Sequence, residues 1–263
     1  MNLGGQTALV TGASGGLGQA IARALADRGA HVILTARRVE VLEALAQETG
    51  GRAVACDLSD RAAVLELVED AGPVDVLIAN AGLPASGGLR SFSVEEIDRA
   101  LDVNLRAPMI MTRLIAEQMV ERGGGHIVFV SSLSGKAATV GSSVYSATKF
   151  GLRGFAMGLR EDLRPRGVGV STVFPGFIRD AGMFHDAGAK LPPYIGTKTP
   201  EDVGAAVVRA IEHDKAEVDV APITLRFGAA VTGLAPELAA MVQRKLGASE
   251  VAGSMERAQR DKR

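Results

Sequence analysis

The chain has few features that would indicate a secreted, metal-binding or nucleic-acid-binding protein. Its one cysteine, Cys56, cannot form an internal disulfide bond, and its four histidines do not have the spacing of metal ligands. Charge is balanced, since 29 Lys and Arg residues stand against 30 Asp and Glu residues. This balance gives no electrostatic reason to expect nucleic acid or an anionic membrane as a partner. We therefore expect no metal site and no nucleic-acid interface.

Long apolar runs and targeting segments are also missing from the sequence. No run approaches the roughly 18 apolar residues of a membrane span, and the first residues do not form a signal peptide. These absences, with the single cysteine, predict a cytoplasmic protein without an integral membrane segment. No repeat or low-complexity linker divides the chain. We expect one domain over residues 1–263, with a core at about 6–220, a helical extension at about 221–253 and a frayed polar end at 254–263.

Short apolar runs alternate with longer helical patterns along the chain. The runs are apolar almost throughout, which is typical of strands buried on both faces of a parallel sheet. We expect strands at residues 7–11, 31–35, 52–55, 74–78, 126–131 and 168–174, and a weaker seventh at 217–220. The alternation predicts a doubly wound, Rossmann-type α/β fold with helices on both faces. Ligands of such folds bind beyond the carboxyl ends of the strands.

A glycine-rich turn joins the first predicted strand to the first predicted helix. Gly12, Gly16 and Gly18 would let the backbone approach a pyrophosphate, and the N-terminus of the helix would attract its charge. A turn that binds no ligand is the alternative interpretation.

Tyr145 and Lys149 are spaced to lie on one face of a helix. A nearby ammonium would lower the pKa of the phenol from its reference value of about 10, which suits a proton donor and acceptor. A helical Tyr/Lys pair can equally be a surface contact.

Six motifs occur in the order of the short-chain dehydrogenase/reductase family, over roughly residues 6–214, and the chain therefore resembles that family. They are the turn Thr11 to Gly18, Asn80-Ala81-Gly82, Asn104, Ser132, the pair Tyr145 and Lys149, and Pro175-Gly176. The resemblance implies an enzyme that interconverts a carbonyl and a secondary alcohol with a nicotinamide cofactor.

The resemblance also implies roles for four catalytic residues. Tyr145 would give or take the proton, Ser132 would polarise the substrate oxygen, and Lys149 would tune Tyr145 and bind the ribose. The main chain of Asn104 would hold a water on Lys149, although Asn104 could also cap the next helix. Ser131 is expected to pack or cap rather than to react.

Cofactor contacts are implied for a larger set of residues. They are Gly12, Ser14, Gly16, Leu17, Gly18, Arg37, Arg38, Asp57, Leu58, Asn80, Ala81, Gly82, Tyr145, Lys149, Pro175, Gly176 and Ile178. The second strand ends before Arg37 and Arg38 instead of an acid, which favours the 2′-phosphate of NADP(H) over NAD(H). The two arginines could instead form a solvated loop. Asp57 would accept from the adenine amino group, unless it is a turn or capping residue.

Other parts of the chain depart from the family or carry weaker signals. Asp180 stands where a threonine is common, and we expect it to cap a helix at 181–187, near Arg179. Residues 183–199 would form a substrate lid, and the apolar stripe at 223–246 should pack on the core. The expected pocket walls are Leu83, Leu133, Val140 and Phe177, which suit a moderately apolar substrate.

The resemblance favours a homo-oligomer, either a homodimer or a homotetramer, built by the helices at 104–121 and 144–163. The expected outer contacts are Ala107, Met111, Leu114, Met119, Leu152, Phe155 and Leu159. A cofactor-binding regulator without turnover is the alternative function.

Overall fold

Seven parallel strands form a single sheet in the computed structural model, which describes residues 1–188, 195–235, 237, 241, 253 and 256–259. The strands are β1 Thr7–Thr11, β2 His31–Ala36, β3 Arg52–Ala55, β4 Val76–Ala79, β5 Gly125–Val130, β6 Val168–Pro175 and β7 Glu217–Val220. Their order across the sheet is β3-β2-β1-β4-β5-β6-β7, and each neighbouring pair is parallel. The strand order reverses between β1 and β4, which is where a doubly wound sheet binds its ligand.

The described helices cover both faces of the sheet. They are α1 Gly16–Ala26, α2 Val39–Thr49, α3 Arg61–Ala71, α4 Val94–Leu101, α5 Ala107–Glu121, α6 Ser143–Leu163, α7 Gly182–Asp186, α8 Pro200–Glu212 and α9 Ile223–Leu234. This architecture confirms the predicted doubly wound α/β fold. Within the described part of the chain, no helix has the length and apolar character needed to cross a membrane.

The core lies in two layers because neighbouring residues of each strand point to opposite faces. On β1, Ala8 and Val10 face the layer under α1 and α8, whereas Leu9 faces the layer under α3, α5 and α6. All three side chains are fully buried. Burial on both faces explains why the strands appear in the sequence as continuous apolar runs.

Several local expectations need correction. Asn104 does not cap a helix, because it lies inside a π-helical turn at Asp102–Arg106 that joins α4 to α5. Asp180 does not cap α7 either. The residue in that position is Ala181, and Asp180 has a left-handed φ of 68° while its carboxylate lies 3.4 Å from Arg179 Nε. The proximity to Arg179 was expected.

The expected outer contacts of α5 and α6 are mostly wrong. Ala107, Met111, Met119 and Leu152 are buried in the core, and Leu114, Phe155 and Leu159 pack against it. The exposed apolar side chains of these two helices are instead Met109, Phe150 and Met157.

The C-terminal stripe is described only in part. Ile223 and Phe227 of α9 are more than two-thirds exposed, so they do not pack on the core as expected. Most of the stripe beyond residue 235 lies outside the described residues. Residues 256–259 form a helical turn rather than a frayed end, and the rest of 254–263 is not described.

Candidate active site

A cleft of about 760 Å³ opens at the carboxyl ends of β1, β2 and β4, where the strand order reverses. Most of the predicted cofactor residues line it: Gly12, Ser14, Gly16, Leu17, Gly18, Arg37, Arg38, Asp57, Leu58, Asn80, Ala81 and Gly82. The N-terminus of α1 lies in the lining, so its free N–H groups and positive dipole end can meet a phosphate. The shape and the donor set of the cleft fit a dinucleotide.

Two positions of the turn require glycine, because neighbouring backbone atoms leave no room there for a β-carbon. Gly12 has a φ of 65°, and a β-carbon there would lie 2.8 Å from Ala81 Cα. A β-carbon at Gly18 would lie 2.2 Å from Gly12 O, so α1 could not start so close to β1. The turn therefore keeps its shape only with glycine at both positions.

The loop after β4 is tied to the loop after β1. Asn80 Nδ2 donates to Thr11 O at 2.9 Å, and Thr11 Oγ1 accepts from the N–H groups of Asn80 and Ala81 at 3.0 Å each. These bonds fix the two walls of the cleft relative to each other. Thr11 therefore shapes the site, although it was predicted only as the first residue of the motif.

Arg37 and Arg38 have different surroundings even though both side chains are exposed at the cleft. Arg38 Nη2 donates to Ser14 O at 2.5 Å and so fixes the glycine turn. Arg37 lies close enough to Asp57 to lower the pKa of that carboxyl electrostatically. Arg37 is thus the better placed of the two to meet a ligand.

Asp57 lines the cleft and also stabilises its own turn. Its carboxylate accepts from the N–H of Ser59 at 2.9 Å and from the Ser59 hydroxyl at 2.8 Å. Burial raises the pKa of Asp57, but these bonds and nearby arginines outweigh that effect, so the pKa lies below its ordinary value. Asp60 is the residue that caps α3.

Tyr145 and Lys149 lie one turn apart on α6, and Ser132 follows β5. Burial raises the pKa of Tyr145 to about 12, while the nearby Ser132 side chain acts to lower it. Burial lowers the pKa of Lys149 to about 8, and its Nζ donates to Val130 O at 3.0 Å. Lys149 Nζ lies 5.7 Å from the centre of the Tyr145 ring. The three side chains therefore come together, but the expected lowering of the phenol pKa by Lys149 is wrong, because burial raises this pKa and the opposing contribution comes from Ser132.

Asn104 holds a neighbouring loop through its side chain. The side chain is fully buried, its Oδ1 accepts from Leu83 N at 2.7 Å and its Nδ2 donates to Leu83 O at 3.0 Å. Nδ2 also lies 3.4 Å from Thr148 Oγ1, one residue before Lys149. Asn104 thus joins the loop after β4 to α6.

The remaining predicted residues lie outside the lining of the cleft. A β-carbon at Gly176 would lie 2.9 Å from Ala221 Cβ, and Ile178 is buried and bridges to Lys198. Among the described residues, the cleft lining does not include Pro175, Gly176, Ile178, Asn104, Ser132, Tyr145 or Lys149. Ser131 is buried and donates to Lys149 O at 3.2 Å, which confirms that it packs.

Residues of α7 and Gln259 belong to the cleft lining, and the sequence did not indicate the contact between them. A β-carbon at Gly82 would lie 3.6 Å from both Lys149 Nζ and Met183 Cε. Gln259 is 2% exposed, lines the cleft, and donates through Nε2 to Met183 O at 2.9 Å. No local pattern could have found this contact, because its partners are 76 residues apart.

Comparison with known proteins identifies the family. The short chain dehydrogenase model matches residues 6–191. The chain belongs to this family. It is therefore a short-chain dehydrogenase, an NAD(P)-dependent oxidoreductase acting on CH–OH and C=O groups.

Named relatives and solved structures agree with this assignment. A ketoacyl reductase of Nostoc sp. is 40% identical over 227 residues, which cover 83% of this chain and 79% of the relative. A short-chain dehydrogenase from Sphingobium yanoikuyae in complex with NADPH has a TM-score of 0.76 and 29% identity, covering 88% of this chain and 96% of the other. A 3-ketoacyl-(acyl-carrier-protein) reductase from Brucella melitensis complexed with NADH has a TM-score of 0.75 and 28% identity, covering 83% and 98%. Similar proteins thus bind either cofactor.

Proposed function

We propose that this short-chain dehydrogenase uses NADP(H) to interconvert a carbonyl and a secondary alcohol on a moderately apolar small molecule. The observation that carries the proposal is the grouping of three side chains: Lys149 Nζ lies 5.7 Å from the centre of the Tyr145 ring, and Ser132 lies close enough to Tyr145 to act on the pKa of its phenol. These groups lie beyond the carboxyl ends of the sheet, next to a cleft that fits a dinucleotide.

The three side chains divide the proton chemistry among them. When bound, the cofactor supplies or accepts a hydride. Tyr145 gives its proton to the substrate oxygen during reduction and takes it back during oxidation. The Ser132 hydroxyl donates to the same oxygen as negative charge develops there. Lys149 binds the ribose hydroxyls of the cofactor, and the carbonyls of the Asn104 turn hold a water that returns protons to it.

The cofactor preference rests on the end of β2. No carboxylate follows this strand, and the exposed guanidinium of Arg37 can pair with a 2′-phosphate. Asp57 offers its carboxylate to the adenine amino group. Gly12, Gly16 and Gly18 place the backbone of α1 and its preceding turn against the diphosphate.

Two of the expected pocket-wall residues and the named relatives support this substrate class. Leu83 is buried beside Asn104, and Phe177 packs on Phe184 with ring centres 5.0 Å apart. Apolar walls of this kind favour an acyl chain or a ring over a sugar. Because similar proteins are named ketoacyl reductases, 3-oxoacyl thioesters are the first substrates to test.

The test compares two tyrosine variants, since the chain has two tyrosines. Tyr145→Phe should lower kcat by roughly a hundred- to ten-thousand-fold, which is the usual contribution of a general acid or base. Cofactor affinity, measured by calorimetry, should change little. Tyr194→Phe removes the other phenol hydroxyl, and it should lower kcat far less than Tyr145→Phe does.

The assay uses a panel of 3-oxoacyl thioesters, other ketones and secondary alcohols with both cofactors. Near-wild-type turnover by Tyr145→Phe would refute the assignment of the proton donor. Tight cofactor binding by the wild type without turnover on any substrate would favour a regulatory protein of the same fold.

A further inference from the structure

The loop that carries Ser132 is a single short turn. Ser132 Oγ accepts from Ser134 N at 3.1 Å and caps a 3₁₀ turn at Leu133–Gly135. Lys136 ends this turn, because its N–H donates to Leu133 O at 2.9 Å. Ser132 and Lys136 are therefore the two ends of one small backbone unit.

The side chain of Lys136 is held from three directions. Its Nζ lies 2.6 Å from Asp219 Oδ1 and 3.0 Å from Glu217 Oε2, both on β7. It also lies 4.0 Å from the centre of the Phe174 ring on β6, a cation–π distance. The Lys136 side chain is only 15% exposed, so solvent screens these contacts less than those of a surface pair.

The carboxylates that hold Lys136 are themselves fixed. Arg153 on α6 donates to both oxygens of Glu217, at 2.6 and 3.1 Å. Burial raises the pKa of Glu217, but the bonds from Arg153 and Lys136 outweigh it and hold the pKa below its ordinary value. Glu217 is therefore a charged and oriented anchor, and the network joins α6, β7 and the Ser132 loop.

We propose that Lys136 is a positioning residue for Ser132: its contacts with Asp219, Glu217 and Phe174 fix the turn that aims the Ser132 hydroxyl at Tyr145. The inference rests on the proposed function only for the catalytic role of Ser132. The position of that hydroxyl can be measured without any turnover.

The first measurement is the ¹³Cζ NMR signal of Tyr145 in protein labelled at tyrosine Cζ. The chain has two tyrosines, so Tyr194→Phe assigns the two signals. Ser132→Ala gives the signal position when the serine hydroxyl is lost. Lys136→Met should move the Tyr145 signal toward that position, and Lys136→Arg should largely restore it.

The second measurement is the kinetics of the same variants. A displacement of about 1 Å can cost roughly a hundred-fold in rate, so Lys136→Met should lower kcat by roughly ten- to hundred-fold. The Kd for the cofactor should stay within about two-fold, because Lys136 does not line the cleft. Arg153→Met is the matched control, since it removes another cation from Glu217 but leaves the serine loop anchored by Asp219.

Two outcomes would overturn the proposal. One is a Lys136→Met protein with an unchanged Tyr145 signal and an unchanged kcat. The other is an equal change of signal and kcat in Arg153→Met, which would show that the network only stabilises the fold. If Lys136→Met does not fold, Asp219→Ala removes the shortest of the three contacts and serves in its place. A wild type that shows no turnover refutes the proposed function, while the NMR comparison still decides the position of Ser132.

Discussion

Alanine at Arg37 and alanine at Arg38 should change cofactor binding in different ways. Arg38 Nη2 holds the Ser14 carbonyl at 2.5 Å, so its loss loosens the glycine turn that serves any dinucleotide. The Arg37 side chain is exposed at the cleft and lies near Asp57. We therefore expect Arg37→Ala to affect only a cofactor that carries a 2′-phosphate.

The magnitude follows from the kind of bond that is lost. A hydrogen bond to a charged group contributes about 1.5–3 kcal/mol. Arg37→Ala should therefore raise the Kd for NADPH by about one to two decades and leave the Kd for NADH within about three-fold. Arg38→Ala should raise both constants by a common factor, on the order of three- to ten-fold, as expected for one bond that acts indirectly.

Calorimetric titration of the two variants and the wild type with each cofactor measures all six constants. The ratio of the NADPH to the NADH constant is the decisive quantity, since it cancels any general loosening of the site. A wild type that binds NADH as tightly as NADPH would show that Arg37 at the end of β2 does not select a 2′-phosphate. A ratio that changes in Arg38→Ala but not in Arg37→Ala would reverse the roles of the two residues.

Three further predictions concern the turn, the core and the assembly. Gly18→Ala should weaken cofactor binding at least about ten-fold in calorimetry. Gly15→Ala should weaken it less, because a β-carbon at Gly15 would come no closer than 3.5 Å to Gly12 O. Burial lowers the pKa of His126 to about 4 from 6.5, so the neutral imidazole contributes its full share of stability only above pH 6.5. The free energy of unfolding should therefore fall by about 2 kcal/mol by pH 5. Urea titrations should show this loss in the wild type and not in His126→Asn. The exposed apolar side chains of α5 and α6 predict a dimer, and light scattering should show a shift toward monomer in Met157→Lys. A wild-type monomer would contradict this prediction. A wild-type tetramer would indicate a second interface, for which the C-terminal segment is the candidate.

The fold was predictable because burial on both faces leaves an unambiguous trace in the sequence. The predicted strands differ from the observed ones by at most two residues at either end, as at β4, which starts at Val76 rather than at residue 74. The cofactor cleft was also predictable, since parallel strands place the residues that follow them at one edge of the sheet. The motifs predicted Gly12, Asn80 and Asp57 as cleft residues, and all three line the cleft.

The errors arise where contacts between distant segments decide the local structure. Asparagine is a common helix cap, but Asn104 bonds instead to the main chain of Leu83 and lies within a continuous helical path. The outer face of α5 was misassigned because Met109 and Met111 are equally apolar, and only packing shows that Met111 is the buried one. The contact of Gln259 with Met183 joins two segments that are far apart in the sequence, and no local sequence pattern predicts it.

The pKa values of Tyr145 and Lys149 also depend on contacts that the sequence does not reveal. The spacing of Tyr145 and Lys149 places them on one helical face, but burial raises the pKa of the phenol to about 12 and lowers the pKa of the amine to about 8. Among the described residues, the group that acts against this burial at Tyr145 is the Ser132 side chain. In the proposed mechanism Ser132 has two tasks, since the hydroxyl that would polarise the substrate oxygen would also make the phenol a better acid. A small shift of the Ser132 turn should therefore impair both tasks together. Because Lys136 anchors that turn, its loss should lower the rate.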